Sequence, residues 1–140
     1  MAANFDLDNF LPYRLHQAAE RTGSDFYQQY REKYGLRRTE WRVLFNVGQY
    51  GPISATEIAE ASGLEKTKIS RAVQKLFERG WLRRIHLESD RRKQELELTK
   101  SGIKVFHELA KLASAFNQKL EQELGNAAMT QLLKYLRHLD

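Results

Sequence analysis

Glu65-Lys66-Thr67-Lys68-Ile69-Ser70-Arg71-Ala72-Val73-Gln74-Lys75-Leu76-Phe77 is the stretch on which the reading of this chain turns. At 100° per residue, Ile69, Val73, Leu76 and Phe77 fall on one side of a helix, and Thr67, Arg71, Gln74, Lys75 and, at the margin, Lys68 fall on the other. The first side is a core face. The second presents groups that suit the major groove of DNA: arginine can grip guanine through two bonds, glutamine can do so with adenine, threonine can touch a thymine methyl, and lysine neutralises phosphate. A merely solvated helix face has a similar composition, so the flanking residues must decide between the two.

Immediately upstream, Ser54-Ala55-Thr56-Glu57 has the form of a capping box, in which the serine hydroxyl and the glutamate carboxylate each accept from the other's backbone N–H. The short helix it opens turns Ile58 and Ala59 inward, and Ala61-Ser62-Gly63-Leu64 supplies a tight turn before the basic helix. Two short helices joined in this way predict a helix-turn-helix. Downstream, Gly80 ends the basic helix. Trp81 to Leu87 alternates imperfectly with Ile85 and Leu87 on one face, Glu95 to Leu98 alternates cleanly, and the two runs predict a β-hairpin. Its loop is expected around Ser89 to Gln94 and carries Asp90, Arg91, Arg92 and Lys93. Arginines side by side at an exposed tip repel each other unless an anion lies nearby, and the narrow minor groove of DNA is a natural one. Asp90 is expected to brace the loop by accepting from one of them.

Charge supports this reading once it is located. The net charge of the 140-residue chain is +5. Between Leu64 and Lys104 twelve Lys and Arg face six Asp and Glu, so this one segment holds more than the whole excess. A basic segment between nearly neutral flanks points to a single face built for a polyanion. Cysteine is absent, which removes disulfides, thiolate metal sites and cysteine nucleophiles. The beginning of the sequence lacks a basic leader with an apolar run, and no stretch is long and apolar enough to span a bilayer, so a soluble cytoplasmic protein without membrane contact is expected.

Outside the central segment the pattern is helical. Asn9 is expected to cap a first helix, with Pro12 in its opening turn and Leu11, Leu15, Ala18, Ala19, Thr22, Phe26 and Tyr30 along one face up to Gly35. Thr39 is expected to cap the next, with Glu40 at its positive end and Trp41, Leu44, Phe45 and Val47 inward, until Tyr50-Gly51-Pro52 breaks it. Thr99 opens a long helix with Val105, Leu109, Leu112, Phe116, Leu120 and Leu124 on its stripe, and after Gly125-Asn126 a last helix carries Leu132, Leu133, Leu136 and Leu139.

Taken together, the run from Leu64 to Gly102, with Ile69-Ser70-Arg71, Asp90-Arg91-Arg92, Leu96-x-Leu98-Thr99 and Gly102, resembles the MarR-type winged-helix regulators, and the flanking helices match that family in length and order. The resemblance implies a mainly α fold with a small β-hairpin wing. It also implies a single domain in which residues 36–98 are the winged helix and 1–35 and 99–140 are dimerisation helices. It further implies a homodimeric transcription factor, usually a repressor, that reads a palindromic operator in double-stranded DNA and is often released by phenolic or carboxylic effectors. The groove-facing positions then fall on Thr67, Lys68, Ser70 and Arg71, and the wing contact falls on Arg91 or Arg92. Lys66, Gln74, Lys75 and Lys93, with Ser54 and Thr56 on the preceding helix, complete the expected DNA-binding set. An effector would be held by Arg14, His16, Trp41 and Phe45: cations for the acid, rings for the ring.

Two other classes remain open at this level. A winged helix can serve protein contacts, its basic face meeting an acidic partner. An enzyme has little support, because His16, His86, His107 and His138 show no metal-ligand spacing and no nucleophile elbow or phosphate-cradling loop occurs. No cofactor and no metal are expected.

Overall fold

The computed structural model describes residues 4–87 and 90–140; the side chains of Leu87 and of Asp90 to Lys93 lie outside the described set. Among the described residues the order is α1 (Leu11–Tyr34), α2 (Arg38–Tyr50), α3 (Ala55–Ser62), α4 (Lys66–Glu78), β1 (Leu82–Leu87), β2 (Asp90–Leu98), α5 (Lys100–Leu124) and α6 (Asn126–Arg137), preceded by a single 3-10 turn at Leu7–Asn9. This is the expected winged helix-turn-helix between flanking helices.

Two helix starts differ from the sequence expectation. Asn9 closes the 3-10 turn, which is capped by the Asp6 carboxylate, and α1 begins after Phe10 with Pro12 at its second position. Helix α2 begins at Arg38, so Thr39 lies inside its first turn, and the Glu40 carboxylate accepts the backbone N–H of Arg37. Helix α1 thus starts one residue later than an Asn9 cap would place it, and α2 two residues earlier than a Thr39 cap would, its end held by the Glu40 carboxylate.

The capping box at α3 is as expected: Ser54 Oγ accepts from Glu57 N at 3.1 Å and Glu57 Oε2 accepts from Ser54 N at 2.9 Å. Gly63 then takes φ +69°, a left-handed conformation that costs a side-chain-bearing residue more, and so turns α3 into α4 within three residues. At the far end of α4 the Gly80 N–H bonds Phe77 O and the Trp81 N–H bonds Leu76 O, a Schellman ending that launches β1.

The hairpin pairs Leu82 with Leu98, Arg84 with Leu96 and His86 with Gln94, with a register shift between His86 and Leu87. Asp90 to Gln94, expected in the loop, belong to β2. One face of the hairpin covers the core through Leu82 and Leu96; on the other, Arg83 and Glu97 form an ion pair. Ile53 adds a bridge to Leu96 through reciprocal backbone bonds of 3.1 and 2.8 Å, tying the segment between α2 and α3 to the wing. Thr99 caps α5 by accepting from Gly102 N at 3.0 Å, and its hydroxyl also donates to Gly80 O. A Cβ on Gly102 would lie 2.1 Å from the Trp81 carbonyl oxygen, so this position needs glycine for lack of space.

A continuous core runs through these elements: Leu36, Val43, Leu44, Ile58, Ile69, Leu76 and Leu109 are fully buried. Phe77 is not part of it. It was expected inward, but it stands 42% exposed beneath the Arg84 guanidinium, which lies 4.9 Å from its ring centroid. The reason is angular: Phe77 sits at the edge of the apolar arc, and the hairpin turns an arginine stem, not the core, over that edge.

Candidate nucleic-acid interface

Helix α4 buries Ile69, Ala72, Val73 and Leu76 against α2 and α3 and leaves Lys66, Thr67, Lys68, Ser70, Arg71, Gln74 and Lys75 exposed. With one side locked in the core, the other side cannot rotate away from solvent. The structure therefore gathers seven of the expected contact residues on one rigid face. Thr56 is exposed at the start of α3, and Ser54, half-buried, has its oxygen committed to the Glu57 N–H while its own hydroxyl proton remains able to donate. The expected roles of Arg91, Arg92, Lys93 and the Asp90 brace concern side chains outside the described residues.

The structure divides the basic segment into two groups. Arg79 is committed to the scaffold: its guanidinium donates to the carbonyls of Tyr34 and Gly35 and lies 4.8 Å from the Trp81 ring, clamping the end of α1 to the end of α4. Arg83 is held by Glu97. Arg84, beside Phe77, also reaches Gln74 Oε1 at 3.4 Å and so borders the exposed face of α4. By contrast Lys66, Lys68, Arg71 and Lys75 form no ion pair among the described residues. Cations left without an acid are available for an external anion. Sequence position alone could not separate these groups, because the division depends on which carbonyl or ring each stem meets in space.

Of the expected effector residues, Trp41 and Phe45 are together, ring centroids 4.7 Å apart, within a chain of rings that includes Phe26, Tyr30 and Phe106. Arg14 and His16 are exposed on the first half of α1 and do not line the cavity beside Trp41. That cavity, of about 180 Å³ between α1 and α2, is lined by Phe26, Tyr27, Tyr30, Trp41 and the guanidinium-bearing Arg38 and Arg42. Arg38 lies 4.8 Å from the Tyr27 ring and pairs with Glu20 at 2.8 Å. Burial pushes the Tyr30 phenol up to about 12, against the pull of Arg38. Trp41 Nε1 is buried without an acceptor among the described residues. Arg38 and Arg42 escaped the sequence reading; the one available clue was their helical spacing from Trp41, which a solvated face shares. The four histidines are exposed, on separate elements.

A winged helix-turn-helix with an exposed basic face on α4 defines the class. The family model described as MarR family matches residues 36–93, which span α2 to the wing. The chain is 27% identical over 114 residues to the uncharacterized HTH-type transcriptional regulator YwoH of Bacillus subtilis (strain 168), covering 81% of this chain and 82% of that one. The MarR family transcriptional regulator SPO1453 from Silicibacter pomeroyi DSS-3 superposes with a TM-score of 0.84 at 26% identity, covering 97% and 98% of the two chains. BpsR of Bordetella bronchiseptica, a protein whose DNA binding is regulated by 6-hydroxynicotinic acid, superposes with a TM-score of 0.84 at 21% identity, over 98% and 97%. Residues 36–93 thus match the MarR family model, and the chain as a whole has the winged helix-turn-helix fold of the transcriptional regulators it is similar to. Among the described residues no helix is long and apolar enough to cross a membrane.

Proposed function

We propose that the protein is a homodimeric transcriptional repressor that reads a palindromic operator, with α4 in the major groove and the hairpin reaching the neighbouring minor groove. The observation that carries this reading is the face of α4: seven exposed polar and basic side chains, including four cations without an acid partner among the described residues, on a helix whose opposite side is fully buried. In this reading Arg71 and Gln74 contact bases, Lys66, Lys68 and Lys75 neutralise phosphates, Thr67 and Ser70 fit between them, and Ser54 and Thr56 donate to the backbone. Arg91, Arg92 and Lys93 serve the minor groove. One such helix contacts too few base pairs for specificity, whereas two copies about one helical turn of DNA apart read a symmetric site. The apolar side chains left exposed near both ends of the chain support the dimer.

The cavity between α1 and α2 suits a small aromatic acid: arginines for the carboxylate, rings for the ring, and an acceptor to satisfy Trp41 Nε1. The effector of the structurally similar BpsR is of this class. Such a ligand would release DNA by preferring a dimer whose reading helices are wrongly spaced.

Selection of bound duplexes from a random pool tests the proposal. The expected result is an enriched palindrome whose half-sites lie about 10 base pairs apart. Binding that enriches no sequence would overturn base-specific reading, and an enriched site without two-fold symmetry would overturn the dimer.

A further inference from the structure

A second concavity lies on the other side of the first turn of α2. It has a volume of about 270 Å³, and its wall is formed by Arg37 and Thr39 from the start of α2 and by Lys68, Arg71 and Lys75 from α4, over a floor that includes buried Ala72. The one acid on its lining is Glu40, 6% exposed, whose carboxylate already accepts the Arg37 N–H. None of the four cations is in an ion pair among the described residues. Four basic residues from two elements thus line one hollow, whose one acid is an inward-facing carboxylate that already accepts a backbone N–H. Like charges held together in this way are costly unless an external anion is drawn in, and the hollow gives that anion a defined place.

We propose that this hollow is a phosphate-binding site. Resting on the DNA-binding reading above, its phosphate is one of the DNA backbone: Lys68, Arg71 and Lys75 lie on the same helix face that would enter the groove, so the wall formed by Arg37 and Thr39 stands where the flanking strand must pass. The assignment adds Arg37 and Thr39, from a helix otherwise belonging to the scaffold, to the nucleic-acid contact. A phosphate-bearing small molecule would satisfy the same chemistry, and the two sources are separable.

The test compares the full-length protein with Arg37→Ala and Arg37→Lys, both at an exposed position and both checked by melting temperature. In the first arm, affinity for a duplex from the random-pool selection is measured against salt concentration. Arg37→Ala is expected to weaken selected and unselected duplexes alike, by about tenfold near 0.1 M salt, and to reduce the slope of log affinity against log salt by about one per protomer, while Arg37→Lys keeps the slope. In the second arm inorganic phosphate is titrated into the DNA-free protein and the backbone amide resonances of Thr39 and Ala72 are followed. A slope change assigns the site to DNA phosphate. Saturable shifts lost in Arg37→Ala, with an unchanged slope, assign it to a free phosphate compound. If wild-type protein binds duplex and Arg37→Ala alters neither arm, the hollow is not a phosphate site and the reading by α4 stands. If wild-type protein binds no duplex at all, the DNA reading falls and the second arm alone decides the site.

Discussion

Between α2 and the wing the large aliphatic side chains are under cover, with Leu44, Ile58, Ile69 and Leu76 at 0% exposure, whereas toward the two ends of the chain Phe5, Leu11, Leu133 and Leu139 stand between 41% and 64% exposed. The same residue types meet opposite fates. The central unit covers its large aliphatic side chains because three helices and a hairpin approach from different directions and pack with Phe26 and Tyr30 of α1 and Val105 and Leu109 of α5 in one core. Helix α6 and the first half of α1 lie along the outside, and among the described residues their Leu11, Leu132 and Leu133 remain uncovered. The contrast teaches that the central segment is covered within one copy while the outer helices keep apolar side chains exposed; in the proposed dimer, those outer helices would set the spacing of the two reading helices.

The contrast can be broken or sharpened by substitution. The largest effect is expected in the closed core: Leu76→Ala removes a side chain at 0% exposure and should cost about 2–5 kcal/mol in chemical denaturation, with the loss of DNA binding tracking the loss of fold. A cost below about 1 kcal/mol would mean that this core is looser than its burial indicates. Next, Leu132→Asp combined with Leu133→Asp should leave helix content unchanged but weaken self-association at least about tenfold in sedimentation, roughly 1.4 kcal/mol or more. Undiminished association would place the interface elsewhere and remove the functional half of the contrast. Smaller still, Ser54→Ala deletes one arm of the α3 capping box and should lower stability by about 1 kcal/mol in thermal melts, without altering the oligomer.

The smallest effect near neutral pH belongs to Tyr30. Burial raises its phenol from 10.0 to about 12, so the folded state disfavours the phenolate relative to the unfolded chain. Its contribution is therefore complete below pH 10 and is lost as pH rises toward about 12. Tyr30→Phe should flatten that alkaline decline in melts taken across this range. An identical decline in the variant would show that other groups, not the α1–α2 cavity, limit alkaline stability.

How far the sequence could be read depends on the range of the interaction concerned. The capping box at Ser54, the glycine turn at Gly63, the end of α4 at Gly80 and the Thr99 cap are settled within four or five residues, and each was legible. The start of α2 was misplaced by Thr39 because the end is held by packing and by Glu40, whose side chain folds back on Arg37. Ile53 gave no sign of its bridge to Leu96, since a single extended residue between a proline and a serine has no periodicity to detect. Phe77 belonged to the apolar arc by angle, and only the position of Arg84 decided that it stays outside.

By itself, then, the sequence determined the order and type of the elements, the two-sidedness of α4 and the location of the positive charge, because periodicity, caps and composition are properties of neighbours along the chain. The tertiary structure decided which cations are engaged and which are in no ion pair among the described residues: Arg79 and Arg83 are held by carbonyls, a ring and a carboxylate, while Lys68, Arg71 and Lys75 join Arg37 around one hollow. It also placed Arg38 and Arg42 beside Trp41 in the other. Those partnerships join residues tens of positions apart, and a charge's availability depends on what it meets in space.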